Sequence, residues 1–134
     1  MTDAGKLNVL LIGCPDTVVR AVSEGGHEAW SSSLEQPVDG PVLPKGIDVI
    51  MVDLTVSGPD PFSRVARTIG LNSFHRKPMV VGLAETTNAA LDTQCRFAGI
   101  DLLFLKPIPP AQVTQFLDRF NTVVQDFESF DPMI

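Results

Sequence analysis

Asp53 is the residue whose type and position most directly suggest chemistry. It lies near the end of residues 47–54, an almost unbroken run of β-branched and apolar residues. Such a run is typical of a strand that is buried on both faces of a parallel sheet. In open α/β sheets, sites lie in the crevice beyond the carboxyl ends of the strands. Asp53 is therefore a candidate site carboxylate, with the alternative that it starts a loop and caps the next turn.

Cys14 and Arg20 suggest a second chemistry, because they fit the Cys-x5-Arg pattern of phosphatases whose thiolate attacks a phosphate. Low-molecular-weight members of that class place the pattern after a first strand, and Asp131-Pro132 resembles their general-acid loop. Their phosphate-binding loop needs backbone N–H groups that converge on the anion. Here Pro15 has no N–H, and the loop contains two stiff, β-branched valines. Because so short a pattern also occurs by chance, we expect that Cys14 is not a catalytic nucleophile.

The composition is that of a single globular domain without a nucleic-acid surface. The chain has 134 residues, of which 44% are hydrophobic, and a net charge of −6. Binding to phosphate backbones requires clustered Lys and Arg, so any partner is expected to be a protein. Residues 1–6 are polar and no apolar run approaches the roughly 20 residues of a membrane span, so we expect a cytoplasmic protein. The two cysteines, Cys14 and Cys95, lack metal-type spacing and are expected to be reduced.

Short apolar runs alternate with helical patterns along the chain. Strands are expected at residues 7–12, 27–33, 47–54, 78–84 and 100–105. This alternation indicates a parallel sheet with helices on both faces. Between residues 34 and 46, three prolines and two glycines predict a loop or one short turn in place of a full second helix.

The helices are predicted from capping residues and apolar spacing. Capping and breaking residues mark the ends of three helices: Asp16 or Pro15 to Gly25-Gly26, Asp60-Pro61 to about Ile69, and Thr86 or Thr87 to Gly99. A long last helix follows from Ala111, with an apolar stripe formed by Val113, Phe116, Phe120, Val123 and Phe127. A sheet covers only part of so long a stripe. We therefore expect its end, around Phe127 and Phe130, to pack against another protein or a second copy.

Three segments carry a family resemblance: Met51-Val52-Asp53-Leu54, Pro78-Met79-Val80-Val81, and the run at 97–108 that contains Ala98-Gly99 and Lys106-Pro107. With these segments the chain resembles the receiver domain of bacterial response regulators over nearly its whole length. The resemblance implies one domain over residues 1–134, with tails at 1–6 and 128–134. Its fold would be α/β, flavodoxin-like and doubly wound: a five-stranded parallel sheet in order 2-1-3-4-5, with the second helix shortened or missing. A cis bond before Pro107 is also implied.

The resemblance assigns roles to two residues. In the family, the counterpart of Asp53 accepts a phosphoryl group from a histidine kinase, and the counterpart of Lys106 contacts that group. Residues at the ends of the third and fifth strands would come within reach of each other across the sheet. The implied function is two-component (phosphorelay) signal transduction, with a histidine kinase or an output domain as protein partner and no enzyme activity.

The metal site of the family is not matched by this sequence. In the family, two acidic residues that hold Mg²⁺ directly follow the first strand, and their positions are occupied here by Gly13 and Cys14. Mg²⁺ requires oxygen ligands, which neither side chain supplies. Asp16 lies nearby, but we expect it to cap the first helix. We therefore expect that the Mg²⁺ site is lost and that the protein carries no cofactor.

Two switch positions are also substituted. The family's hydroxyl residue, which binds the phosphoryl oxygen, falls on Leu83, and its aromatic switch residue falls on Leu103. Without the acidic pair, Lys106 can neutralise Asp53 directly in a buried or half-buried ion pair. The favoured hypothesis is a degenerate receiver that acts by protein–protein interaction, and in which a homodimer forms through the last helix. The alternatives are an orthodox receiver phosphorylated on Asp53 and the Cys-x5-Arg phosphatase.

Overall fold

Five parallel strands form one sheet in the described part of the chain. The computed structural model describes residues 7–32, 46–55 and 78–129. The strands are β1 (Asn8–Ile12), β2 (Glu28–Ser32), β3 (Val49–Asp53), β4 (Met79–Ala84) and β5 (Leu102–Leu105). They lie in the order β2-β1-β3-β4-β5, and every neighbouring pair is parallel. The predicted strand order and parallel arrangement are confirmed.

The described helices, α1 (Asp16–Glu24), α2 (Ala89–Ala98) and α3 (Pro110–Ser129), cover two faces of this sheet. Successive side chains of a strand point to opposite faces, so alternate residues of β1, β3 and β4 enter two separate cores. The core against α1 and α3 includes Val9, Leu11, Val18, Val49, Met51, Val81, Leu83, Val113 and Leu117. The core against α2 includes Leu10, Ile12, Ile50, Val52, Val80, Cys95 and Ala98. All five residues of β3 are buried, which explains its almost entirely apolar sequence.

The start of α1 differs from the expectation for Asp16. Pro15 occupies the capping position and makes no side-chain hydrogen bond, while Asp16 is the first helical residue and is exposed. An acidic side chain in the first turn still interacts favourably with the positive end of the helix dipole. The expectation that Asp16 caps this helix is therefore wrong, because the helix begins one residue earlier in the chain than an Asp16 cap requires.

The start of α2 also differs from the expectation, whereas its end agrees. Asn88 caps α2, and its side-chain oxygen accepts a hydrogen bond from the Leu91 N–H at 2.9 Å. The predicted cap, Thr86 or Thr87, is wrong because only the residue directly before the helix reaches an N–H of its first turn in this way. Gly99 ends the helix with a φ of 89°, a left-handed conformation that glycine adopts without steric cost.

Some expectations fall outside the described residues. These are the missing second helix between residues 34 and 46, the helix after Asp60-Pro61, and the tail at 1–6. At the other end of the chain, α3 continues to Ser129, so residues 128 and 129 are helical rather than part of a tail. Among the described helices, none combines the length and the apolar character needed to cross a membrane.

β5 is an edge strand and is less buried than its apolar sequence suggests. Leu102 and Leu105 are 40% and 49% exposed, because β4 is the only described strand that lies beside this one. The loop before β5 is fixed to β4 through Asp101, whose carboxylate accepts a hydrogen bond from the Val80 N–H at 2.9 Å. The strand begins at Leu102 rather than at the predicted residue 100, and it leads directly to Lys106.

His27 is a buried polar residue that joins three elements. Its Nδ1 accepts a hydrogen bond from the Leu7 N–H at 3.1 Å, just before β1. Its Nε2 lies 3.4 Å from Oδ1 of Asp118 on α3. The backbone N–H of His27 donates to the Val22 carbonyl of α1 at 3.2 Å. Because Nδ1 accepts, the proton of the neutral ring lies on Nε2, facing Asp118.

Replacing His27 by Leu is expected to destabilise the fold. The substitution leaves the buried Leu7 N–H without an acceptor, which costs about 1–3 kcal/mol. The free energy of unfolding in urea measures this loss. Asp118→Asn is the matched control, because its side chain is 63% exposed and an exposed pair contributes at most about 1 kcal/mol. Equal losses in the two variants would contradict the importance of the Leu7 hydrogen bond.

Candidate functional site

Asp53 and Lys106 lie together at the carboxyl edge of the sheet. Asp53 is the last residue of β3, and Lys106 directly follows β5, so both project from the edge at which parallel strands end. The Lys106 Nζ donates a hydrogen bond to Oδ2 of Asp53 at 2.8 Å. The proximity expected from the sequence is therefore observed. The Lys106–Pro107 bond is cis, as predicted.

Thr55 completes this pair into a closed triad, and the sequence analysis missed it. The Thr55 N–H donates to Oδ1 of Asp53 at 2.8 Å, and the Thr55 hydroxyl donates to the same oxygen at 2.6 Å. The hydroxyl also accepts a hydrogen bond from the Lys106 Nζ at 2.8 Å. The sequence does contain a signal for this contact, since an Asp commonly bonds the backbone N–H two residues later.

The triad satisfies a carboxylate that is almost completely buried. The side chain of Asp53 is 3% exposed and that of Lys106 is 25% exposed. A charge removed from water costs free energy unless it is paired and hydrogen-bonded. Here Oδ2 has the lysine and Oδ1 has both donors of Thr55, so the two oxygens have partners within the protein.

Cys14 lies next to this triad as a neutral thiol. Its Sγ donates a weak hydrogen bond to the Met51 carbonyl at 3.4 Å. Burial, reinforced by the negative charge of Asp53, raises the pKa of the Cys14 thiol from an ordinary value of 9.0 to about 12. The positive charge of Lys106 acts in the opposite direction but is weaker. At neutral pH the thiol therefore stays protonated.

The residues at this edge do not fit Mg²⁺. Gly13 forms the turn after β1 with a φ of 66° and offers no side-chain ligand, and Cys14 offers a protonated thiol. Asp16 is the first residue of α1 and is exposed. No group of three or more His, Cys, Asp or Glu side chains suited to hold a metal occurs within residues 7–32, 46–55 and 78–129. The oxygens of Asp53 already have protein donors.

The two residues that the resemblance assigns to switch positions lie in the two cores. Leu83 is fully buried, faces α1 and α3, and is paired in register with Asp53 across β3 and β4. Leu103 is half-buried and packs against the core on the α2 side. Neither side chain brings a hydroxyl or an aromatic ring to the site, so these leucines contribute packing alone.

Arg20 and Cys14 do not form the anion site of a phosphatase. Arg20 is exposed on α1, and the charges that act on the Cys14 thiol are those of Asp53 and Lys106. Pro15 stands in the loop as the capping residue and has no N–H to donate to an anion. Asp131-Pro132, the resembling general-acid segment, lies outside the described residues.

Cys14 is expected to react slowly with alkylating reagents. With its pKa at about 12 instead of 9.0, the thiolate fraction at neutral pH falls about a thousandfold. Iodoacetamide at pH 7.5, followed by peptide mass spectrometry, measures the rate, and the urea-unfolded protein is the reference. Fast labelling of native Cys14, or hydrolysis of an aryl phosphate that disappears in Cys14→Ser, would contradict the neutral thiol.

Comparison with known proteins finds the fold but not a sequence family. No family model and no curated protein sequence matches the chain. Among solved structures, the chain is similar to the chemotaxis response regulator CheY4 of Vibrio cholerae, with 18% identity and a TM-score of 0.66 over 85% of this chain and 98% of that one.

Two further structures give the same result. A CheY-like response regulator receiver domain from Methanospirillum hungatei is 11% identical, with a TM-score of 0.68 over 91% of this chain and 98% of that one. A response regulator from Burkholderia pseudomallei with a phosphorylated aspartic acid and a calcium ion is 19% identical, with a TM-score of 0.63 over 91% of this chain and 72% of that one. The protein therefore has the flavodoxin-like fold of response regulator receiver domains.

Proposed function

We propose that the protein is a cytoplasmic, receiver-like domain of a two-component system that acts by binding a protein partner and is not switched by phosphorylation of Asp53. This proposal is supported above all by the closed triad, in which Lys106 donates to Oδ2 of Asp53 and Thr55 donates to Oδ1. The receiver fold supports the assignment to signalling. In this proposal the domain is a binding module, not an enzyme.

Phosphoryl transfer to Asp53 is disfavoured at this site for two reasons. Charge that builds on a phosphoryl group during transfer is normally offset by a bound cation, and Gly13 and Cys14 supply no ligand for one. After transfer, Leu83 offers no hydroxyl to bind the phosphoryl group, and Leu103 offers no ring to reorient. Phosphorylation would then favour neither of two conformations over the other, so no population shift would follow.

An orthodox receiver is the second candidate, and one observation favours it. The Asp53–Lys106 pair has the placement that phosphorylation requires, with the amine 2.8 Å from a carboxylate oxygen at the carboxyl edge of the sheet. The similar Burkholderia pseudomallei protein carries a phosphorylated aspartic acid together with a calcium ion. For this chain, the orthodox reaction would need the triad to open and a cation to find ligands elsewhere.

An apolar groove beside the last helix is the surface through which we infer self-association. It has a volume of about 320 Å³ and lies between β5 and α3, lined by Phe104, Gln112, Gln115, Phe116, Arg119, Phe120 and Val123. The rings of Phe104 and Phe116, which both line the groove, pack edge to face with centroids 5.2 Å apart. Val123 also lines the groove, and 62% of this residue's surface is exposed.

We infer that a second copy of the chain occupies this groove. An exposed apolar side chain, Val123, lies next to an apolar hollow, so a two-fold axis can place Val123 of each copy in the groove of the other. Arg119 is the one charged residue among the described residues that line the groove, so these residues present no acidic group to a second chain of net charge −6. The stripe predicted to pack around Phe127 and Phe130 begins here, although those two side chains lie outside the described ones.

The wild-type protein is expected to take up no phosphoryl group on Asp53. The protein is incubated with a small acyl phosphate and Mg²⁺, and its intact mass is measured beside that of Asp53→Asn. The two proteins should behave alike, because each oxygen of Asp53 already has a protein donor and the described residues provide no cation site. A stable adduct that is absent from Asp53→Asn, with amide shifts along β4 and β5, would restore the orthodox reading.

Val123→Lys is expected to shift the protein from dimer to monomer. The substitution places a positive charge in the apolar groove of the second copy, where it would be desolvated beside the like charge of Arg119. Light scattering over a range of concentrations measures the change. Phe97→Ser on α2 is the matched control, because Phe97 is 88% exposed but does not line the groove. A wild-type protein that stays monomeric at high concentration would rule out self-association.

A further inference from the structure

We infer that Thr55 is the residue that closes Asp53 against cations and phosphoryl donors. This inference rests on the proposed function and deepens it, because it assigns the closed state of the site to one side chain. Lys106 alone occupies only one oxygen of the carboxylate, at 2.8 Å from Oδ2. Both hydrogen bonds to the other oxygen, Oδ1, come from Thr55.

The hydroxyl of Thr55 has two partners at once. It donates to Oδ1 of Asp53 at 2.6 Å and accepts from the Lys106 Nζ at 2.8 Å. Hydrogen bonds with a charged partner are roughly twice as strong as neutral ones. The side chain of a β-branched residue has few χ1 rotamers, so holding it in this position costs little entropy. Thr55 is itself exposed, so it covers the buried carboxylate on the solvent side.

A residue without a hydroxyl at position 55 would open the site. The backbone N–H of residue 55 would still donate to Oδ1, but one acceptor direction of that oxygen would become available. One N–H of Lys106 would also lose its partner. The change is local, because the Lys106–Oδ2 ion pair does not involve Thr55. Oδ1 of Asp53 would then be able to bind a cation without first losing the hydrogen bond from the Thr55 hydroxyl.

The missing acidic pair is a separate obstacle and can be tested separately. Gly13 has a φ of 66°, a conformation that disfavours most side chains, so Cys14 is the better position at which to restore a carboxylate. The Cys14 Sγ lies 3.4 Å from the carbonyl of Met51, two residues before Asp53 on β3, so position 14 is next to the site. With Cys14→Asp alone, a second carboxylate is present but Oδ1 of Asp53 remains closed by Thr55.

The test compares residues at position 55 in the Cys14→Asp background. Calorimetric titration with Mg²⁺ alone is carried out on Cys14→Asp, Cys14→Asp/Thr55→Val and Cys14→Asp/Thr55→Ser. Valine keeps the shape of threonine without the hydroxyl, whereas serine keeps the hydroxyl. The valine variant is expected to bind Mg²⁺ on the order of tenfold more tightly than the other two. Equal affinity in all three, or no binding by the valine variant, would overturn the role of Thr55.

A second measurement keeps the inference testable if Cys14→Asp does not fold. In the otherwise native chain, Thr55→Val and Thr55→Ser are treated with a water-soluble carbodiimide and an amine. Loss of the unmodified Asp53 peptide is followed, whether by amidation or by a bond to Lys106. Faster loss in Thr55→Val alone supports the inference, and equal rates overturn it. The proposed function fails on a different result, an Asp53 adduct in the wild-type protein, so the two failures are distinguishable.

Discussion

The ion pair between Asp53 and Lys106 is the interaction on which the arrangement of the site depends. A carboxylate at the end of a fully buried strand cannot stay charged in an apolar core without compensation. Lys106 supplies that compensation from β5, two strands away from β3, and thereby joins the two strands across β4. Lys106 bonds to only one oxygen of the carboxylate, and both donors of Thr55 bond to the other.

The charges of the site neutralise each other within the protein. The one cationic group of the triad faces the one anionic group, so no net charge is left for a metal ion to neutralise. Cys14 remains a neutral thiol under the influence of burial and of Asp53. Leu83 and Leu103 fill the cores on the two sides of the sheet. Under the proposed function, Cys14 and Leu83 stand where the family has polar groups that would need a partner when phosphate is absent.

The sequence predicted the sheet and the main pair because both rest on strong local patterns. Unbroken apolar runs marked the central strands, and a carboxylate and an amine at two strand ends must meet at one edge of a parallel sheet. Thr55 escaped prediction because a single threonine after a strand is an ordinary turn residue until its hydroxyl is seen between two charges. The cap of α2 was placed too early because Thr86, Thr87 and Asn88 are all capable caps, and only the position of the first turn decides among them.

β5 links the groove to the triad, because it contains Phe104 of the groove and leads directly to Lys106 of the triad. This link bears on the proposed function. Phe104, which lines the groove, lies two residues before Lys106. The Lys106 amine is hydrogen-bonded to Asp53 and Thr55. In a two-state receiver, a change at the carboxylate would move this strand and alter the surface beside it. Under the proposed function the triad stays closed, so the site gives β5 no second position and the groove is presented continuously. Under the proposed function, the partner is therefore controlled by the concentration of the two chains and not by a change of state in this one, which is the behaviour expected of a constitutive docking surface.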